Sequence, residues 1–159
     1  MPEDLHDICQ LSARYALALD RGDDLAWREL FTADFVMRGT SAGDRPFADI
    51  ASLPSVQLAR YRKTFHLVGL PRVTCRGDSG EGTVTCTAHH YGPVEHVGGR
   101  LPIDIVHILD IVYDDRYRRV DGVWRFSERR LTLVSRRIQQ CLTPVDTGPA
   151  SGTGPPDPA

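Results

Sequence analysis

The chain has 159 residues, 41% of them hydrophobic, and a formal net charge of −2. That length builds one globular domain with a real core and is too short for two comfortable ones. Interspersed charges of both signs exclude the basic face that duplex nucleic acid requires, and no apolar run approaches the roughly 20 residues that span a bilayer.

From the N-terminus, MPEDLHDICQ is acidic and lacks the basic-then-apolar order of a secretory signal, so a cytoplasmic protein is expected. Leu5, Ile8, Cys9, Ser12, Tyr15, Ala16 and Leu19 recur at helical spacing and predict an amphipathic helix over residues 3–20, with Gly22 as its C′ residue. DLAWRELF predicts a second short helix and DFVMRG a first strand, followed by a Gly/Ser/Asp loop. A third helix is expected from Phe47 to about Lys63, broken or restarted at Pro54.

From Thr64 the character changes to strands. FHLVGLPRVTC, the turn RGDSGEG and TVTCTAHHYG predict a hairpin. Cys75 and Cys86 flank it and could face each other, although a reducing compartment would leave all four cysteines as small hydrophobes. LPIDIVHILDIVYDDRYRRV reads as a long strand, Asp121-Gly122 as a two-residue turn, and VWRFSERRLTLVSRRI as the returning strand. The long strand is apolar on both faces, which predicts cover on both sides, with a second subunit as one source. Residues 141–159 are expected to form a disordered Pro/Gly-rich tail, leaving residues 1–140 as the domain. Helices first and a strand meander afterwards is an α+β order, in which a curved sheet folds over the helices and leaves one apolar cavity.

Two polar residues stand out among apolar neighbours. Asp20 ends the first helix, where a carboxylate meets the negative end of the helix dipole and needs a compensating partner. His66 is the one polar side chain in FHLVGL and lies in phase with Val68. His89 and His90 are adjacent on a strand and point to opposite faces; His90 shares its face with Val84, Cys86 and Ala88 and is the better interior candidate, unless a bulge reverses the phase. Of Arg129 and Arg130 one must point inward, either to pair with Asp115 or to stabilise negative charge in the cavity. Adjacent strand histidines cannot chelate one ion together, and HxH, HExxH, GxGxxG, GxSxG and P-loop patterns are absent, so no metal or nucleotide cofactor is expected. Two RGD tripeptides fall at turns, where Gly and Asp are expected anyway.

The run RYALALDRGDDLAWRELFTADFVMRG, then His66, then IVYDDRYRRVDGVWRFSERR resembles the SnoaL-like group of the nuclear transport factor 2-like superfamily over roughly residues 4–135. The resemblance implies a cone-shaped α+β barrel, with three N-terminal helices packed in a strongly curved antiparallel sheet, and a homodimer formed through that sheet. Members include scytalone dehydratase, bile acid dehydratase, hexachlorocyclohexane dehydrochlorinase, polyketide cyclases and binding-only proteins. By that resemblance Asp20 and His66 match an Asp–His pair, Tyr15 its companion tyrosine, His90 or His89 a second strand group, and Arg129 the late arginine. The implied function is a cofactor-independent lyase or isomerase acting on a small apolar, polyketide- or steroid-like substrate. The alternatives are a ligand-binding module and an accessory subunit of a larger enzyme.

Overall fold

The computed structural model describes residues 2–96 and 102–142. Helix α1 spans Pro2–Arg21 and α2 spans Asp24–Arg28; strands β1 (Phe31–Thr40) and β2 (Gly43–Pro46) follow. Then come α3 (Phe47–Ile50), α4 (Leu53–Arg60), β3 (Lys63–Val68), β4 (Arg72–Arg76), β5 (Ser79–His96), β6 (Pro102–Val120) and β7 (Val123–Leu142). The strands form one curved sheet in the order β2-β1-β7-β6-β5-β3, with β4 also paired to β5. This is the expected α+β cone. No helix among the described residues is long and apolar enough to cross a membrane.

Several boundaries differ from expectation for identifiable reasons. The third helix is two pieces, α3 and α4, and Pro54 sits in the first turn of the second, where its missing N–H costs nothing. The stretch FHLVGLPRVTC is two strands, because Gly69-Leu70-Pro71 interrupts it; β3 and β4 line up end to end along β5. The expected loop after β1 holds the short edge strand β2, whose Pro46 is tolerated there because an edge position needs no ladder donor. The sheet is not wholly antiparallel: β1 runs parallel to β7 and closes the meander around α1. Of the expected tail, Cys141 and Leu142 belong to β7 and the remainder lies outside the described residues. Cys75 lies opposite Gly80 and Cys86 opposite Val68, so the two do not face each other; all four cysteines are free.

Ile8, Leu11, Tyr15 and Leu19 of α1 pack with Trp27, Phe31, Phe35, Tyr117, Trp124 and Phe126. The inner face continues through a second buried cluster of Val84, Cys86, Ala88, Ile111 and Tyr113. Two bulges set the phase of β7 against β6. Ser127 is the extra residue between the pairs Tyr117–Phe126 and Arg116–Glu128, and Val134 between Ile111–Leu133 and Asp110–Ser135. Each extra residue turns the following side chains to the opposite face. The first bulge therefore puts Arg129, and not Arg130, inside: Arg129 is 0% exposed and Arg130 is exposed.

Candidate active site

Asp20 owes its position to the end of α1. The Asp23 N–H donates to the Ala18 carbonyl and the Gly22 N–H to the Leu19 carbonyl, the two bonds of a Schellman ending. Gly22 has φ +67, a conformation that favours glycine at this turn, and the Leu58 side chain of α4 packs against its Cα face. Asp23 then caps α2 by accepting from the Leu25 and Ala26 N–H groups. Asp20 is thus held in the last turn of α1, facing β3.

There its carboxylate takes three hydrogen bonds. The His66 ring meets Oδ1 through Nδ1 at 2.7 Å, Thr64 Oγ1 donates to Oδ1 at 2.8 Å, and the His66 backbone N–H donates to Oδ2 at 2.9 Å. Burial raises the Asp20 pKa, but the bonds from His66 and Thr64 outweigh it and hold the carboxyl below its ordinary range. An ionised carboxylate only accepts, so the facing Nδ1 carries the proton and Nε2 of a neutral ring carries the lone pair. A single side chain thereby fixes both the tautomer and the strand that bears it.

His90 lies beside this pair. Its ring meets His66 edge-on, with centroids 5.5 Å apart, and Tyr61 stacks on it at 4.8 Å. It is 7% exposed, and its Nε2 is buried with no hydrogen-bond partner among the described residues. Burial, then the charges of His66 and His107, push its pKa down to about 4. The ring is therefore neutral where an ordinary histidine begins to charge.

That depression has a consequence for stability. Between the ordinary value of 6.5 and about 4 the unfolded chain binds a proton that folded His90 refuses. Stability contributed by neutral His90 is therefore complete above this window and is lost as pH falls through it. His90→Gln is expected to flatten the slope of unfolding free energy against pH across the window, as read from urea midpoints. An unchanged slope would contradict the assignment.

The other expected residues make different contacts. His89 projects from the outer face, its ring stacked on Phe65 with centroids 6.1 Å apart, because neighbours on a strand alternate. It faces away from Asp20 and His66. Tyr15 and Arg129 form a second, deeper cluster. The Arg129 guanidinium lies over the rings of Tyr15, Tyr113 and Phe126 at 4.1, 4.0 and 4.4 Å. Its Nε and Nη2 each donate to Asp115 at 2.7 Å, and Tyr117 OH donates to the same carboxylate at 3.0 Å. Arg129 is thus ion-paired to Asp115. Burial raises the Tyr15 pKa. Between the clusters lies Cys86, whose thiol burial pushes up to about 11. It is an inert wall at neutral pH.

Sequence reasoning missed Thr64 and Tyr61. Thr64 had a signal, being two residues before His66 on the same strand face; Tyr61, at the end of α4, had none. No group of three or more His, Cys, Asp or Glu side chains that could hold a metal occurs among the described residues. Two grooves of about 420 and 430 Å³ open on the outer face around Thr74, Glu81 and Arg116, and neither is lined by Asp20 or His66.

The SnoaL-like domain model matches residues 2–130, most of the chain and all of the elements that carry these clusters. The protein belongs to the SnoaL-like family. Among solved structures this SnoaL-like chain is similar to the Kfla4162 protein from Kribbella flavida, with TM-score 0.74, 21% identity, and 86% of this chain and 94% of that one covered. It is similar to a putative scytalone dehydratase from Novosphingobium aromaticivorans, with TM-score 0.73, 18% identity and coverage of 84% and 86%. A type-three hexachlorocyclohexane dehydrochlorinase from Novosphingobium barchaimii superimposes with TM-score 0.69, 18% identity and coverage of 84% and 88%. No curated protein sequence matches. At these identities the likeness shows the shared fold.

Proposed function

We propose that this SnoaL-like protein is a cofactor-independent lyase or isomerase working by general acid–base catalysis on a small, largely apolar substrate. The observation that carries the reading is the 2.7 Å contact between Asp20 Oδ1 and His66 Nδ1 on a buried face. His66 Nε2 takes a proton from carbon, and Asp20 stabilises the imidazolium that forms. The electron pair of the broken C–H bond moves into a new double bond, expelling a leaving group or forming an enolate. Neutral His90, with its buried unpartnered Nε2, hydrogen-bonds the departing or enolising oxygen. Tyr15 and Arg129 with Asp115 form the rigid floor beneath. Loss of water, loss of hydrogen chloride, double-bond migration and ring closure all use this set of groups. The dehydratase and dehydrochlorinase named among the structural neighbours support elimination as the first class to assay.

Assay of hexachlorocyclohexane and of aryl β-hydroxyketones, following release of chloride or water, is expected to give turnover that His66→Ala removes. Turnover at an undiminished rate in His66→Ala would overturn the reading. A ligand-holding module without turnover is the second reading. It is favoured by Tyr61, which stacks on His90 and covers one face of the ring a substrate would meet.

The same proposal includes a cytoplasmic homodimer paired through the outer face of the sheet, where Phe65 and Leu67 of β3 stand 52% and 62% exposed. Sedimentation equilibrium is expected to return twice the 17.7 kDa chain mass, and Leu67→Glu to shift it to the monomer. A wild-type monomer would exclude it.

A further inference from the structure

Across the sheet, residues directly opposite each other share a face, and the inner face can be followed row by row away from the dyad. One row runs His66, Ala88, Leu109, Arg136 through β3, β5, β6 and β7. The row beside it ends in His107 and Ile138, and the row on the other side ends in Ile111 and Leu133. Arg136 reaches the inner face because the Val134 bulge shifts the phase of β7 by one residue. Three inter-strand steps of about 4.8 Å separate its backbone from that of His66, on the order of 14 Å along the sheet.

Among the described residues, the neighbours of Arg136 on this face are His107 and apolar side chains, with no carboxylate. Leu109 lies between it and the dyad, while Leu133 and Ile138, 57% and 61% exposed, flank it on the same strand. Its guanidinium makes no ion pair with a carboxylate among the described residues. Nη2 instead lies 3.1 Å from His107 Nδ1. Arginine only donates, so Nδ1 accepts and the proton of a neutral His107 ring sits on Nε2. Two donors therefore stand together at the end of an apolar track that begins at a general base. The exposed guanidinium is hydrated in the free protein, and a carboxylate is the ligand group that fits its planar fork.

We propose that Arg136, supported by His107, recognises a carboxylate at the far end of the substrate, making the substrate an elongated apolar acid. The identity of the reacting end rests on the function proposed above; the carboxylate-reading end rests on Arg136 alone. Ala88 and Leu109 would carry the apolar body between the two, with Leu133 and Ile138 beside its charged end.

Calorimetric titration of the full chain with para-biphenylcarboxylate and with its uncharged amide tests this. Wild type is expected to bind the acid about tenfold more tightly than the amide, a preference that weakens with salt. Arg136→Gln, a change at an exposed strand position, is expected to abolish the preference while leaving the affinity for the amide unchanged, and Arg136→Lys to restore part of it. Equal affinities in wild type, saturable binding of neither probe, or a preference that survives in Arg136→Gln would each overturn the proposal. His66→Ala separates the two proposals. It should keep the preference for the acid, and whether it also loses turnover bears on the dyad alone.

Discussion

Asp20→Asn is expected to lower turnover by about 10²–10⁴-fold while the fold stays intact. The carboxylate accepts from the His66 backbone, the His66 ring and Thr64 at once. A carboxamide has one oxygen and one NH₂ group. If the oxygen keeps the backbone N–H of His66, the NH₂ faces the ring and donates to Nδ1. The ring then carries its proton on Nε2, the nitrogen that should be empty, and the base is lost. Nitrogen NMR of the His66 imidazole should show this exchange of protonated and unprotonated positions directly. The fold should tolerate the change, because removing a negative charge from a helix C-terminus relieves the dipole while the hydrogen bonds to the His66 backbone and ring remain. A variant with wild-type turnover, or with the tautomer unchanged, would contradict the role given to Asp20. The lowered carboxyl pKa adds a pH signature. The stability Asp20 contributes is present above the ordinary value of 3.8 and is lost as pH falls through its lower folded value.

Arg129→Met is expected to cost about 3–5 kcal/mol of folding stability. Both partners of the Arg129–Asp115 pair have fully buried side chains. Removing the guanidinium takes away two of the donors on Asp115 and leaves a buried carboxylate with Tyr117 OH alone. It also removes the cation packed against Tyr15, Tyr113 and Phe126, each worth more when desolvated than at a surface. Removing both charges together avoids the orphaned ion, so Arg129→Met with Asp115→Leu should recover most of the loss. Urea unfolding of the two single variants and the double variant reads this as a cycle. A loss below about 1 kcal/mol for Arg129→Met would show that the pair is not the anchor of the floor.

The parts of this molecule legible in the sequence are those governed by short-range rules. The period of α1, the glycine that ends it and the Asp121-Gly122 turn each follow from a few adjacent residues. The alternation that put His90 inside and His89 outside worked because no bulge interrupts β5 against β3 or β6 over residues 79–91. The same reasoning left Arg129 and Arg130 unresolved, because the extra residue at Ser127 is set by pairing with β6 and not by local composition. The Val134 bulge hid Arg136 for the same reason. Long-range choices were invisible as well: nothing in residues 31–40 says that β1 lies parallel to β7. The meeting of Asp20 and His66, 46 residues apart, was suggested by two polar groups out of place and by a family resemblance. Tyr61 reaches His90 because it directly precedes β3, whose Lys63 and Thr64 pair with Tyr91 and His90, a strand pairing that no pattern in its own segment announces.

Proton removal from carbon is the step at the centre of the proposed function, and it can be measured without the natural substrate. A nitrobenzisoxazole opens to a coloured phenolate once a base takes its acidic C–H, so absorbance reports the transfer itself. Wild-type protein is predicted to open the ring about 10²–10⁴-fold faster than His66→Ala at neutral pH, with Asp20→Asn close to the slower variant. Equal rates for wild type and His66→Ala would contradict His66 as the base.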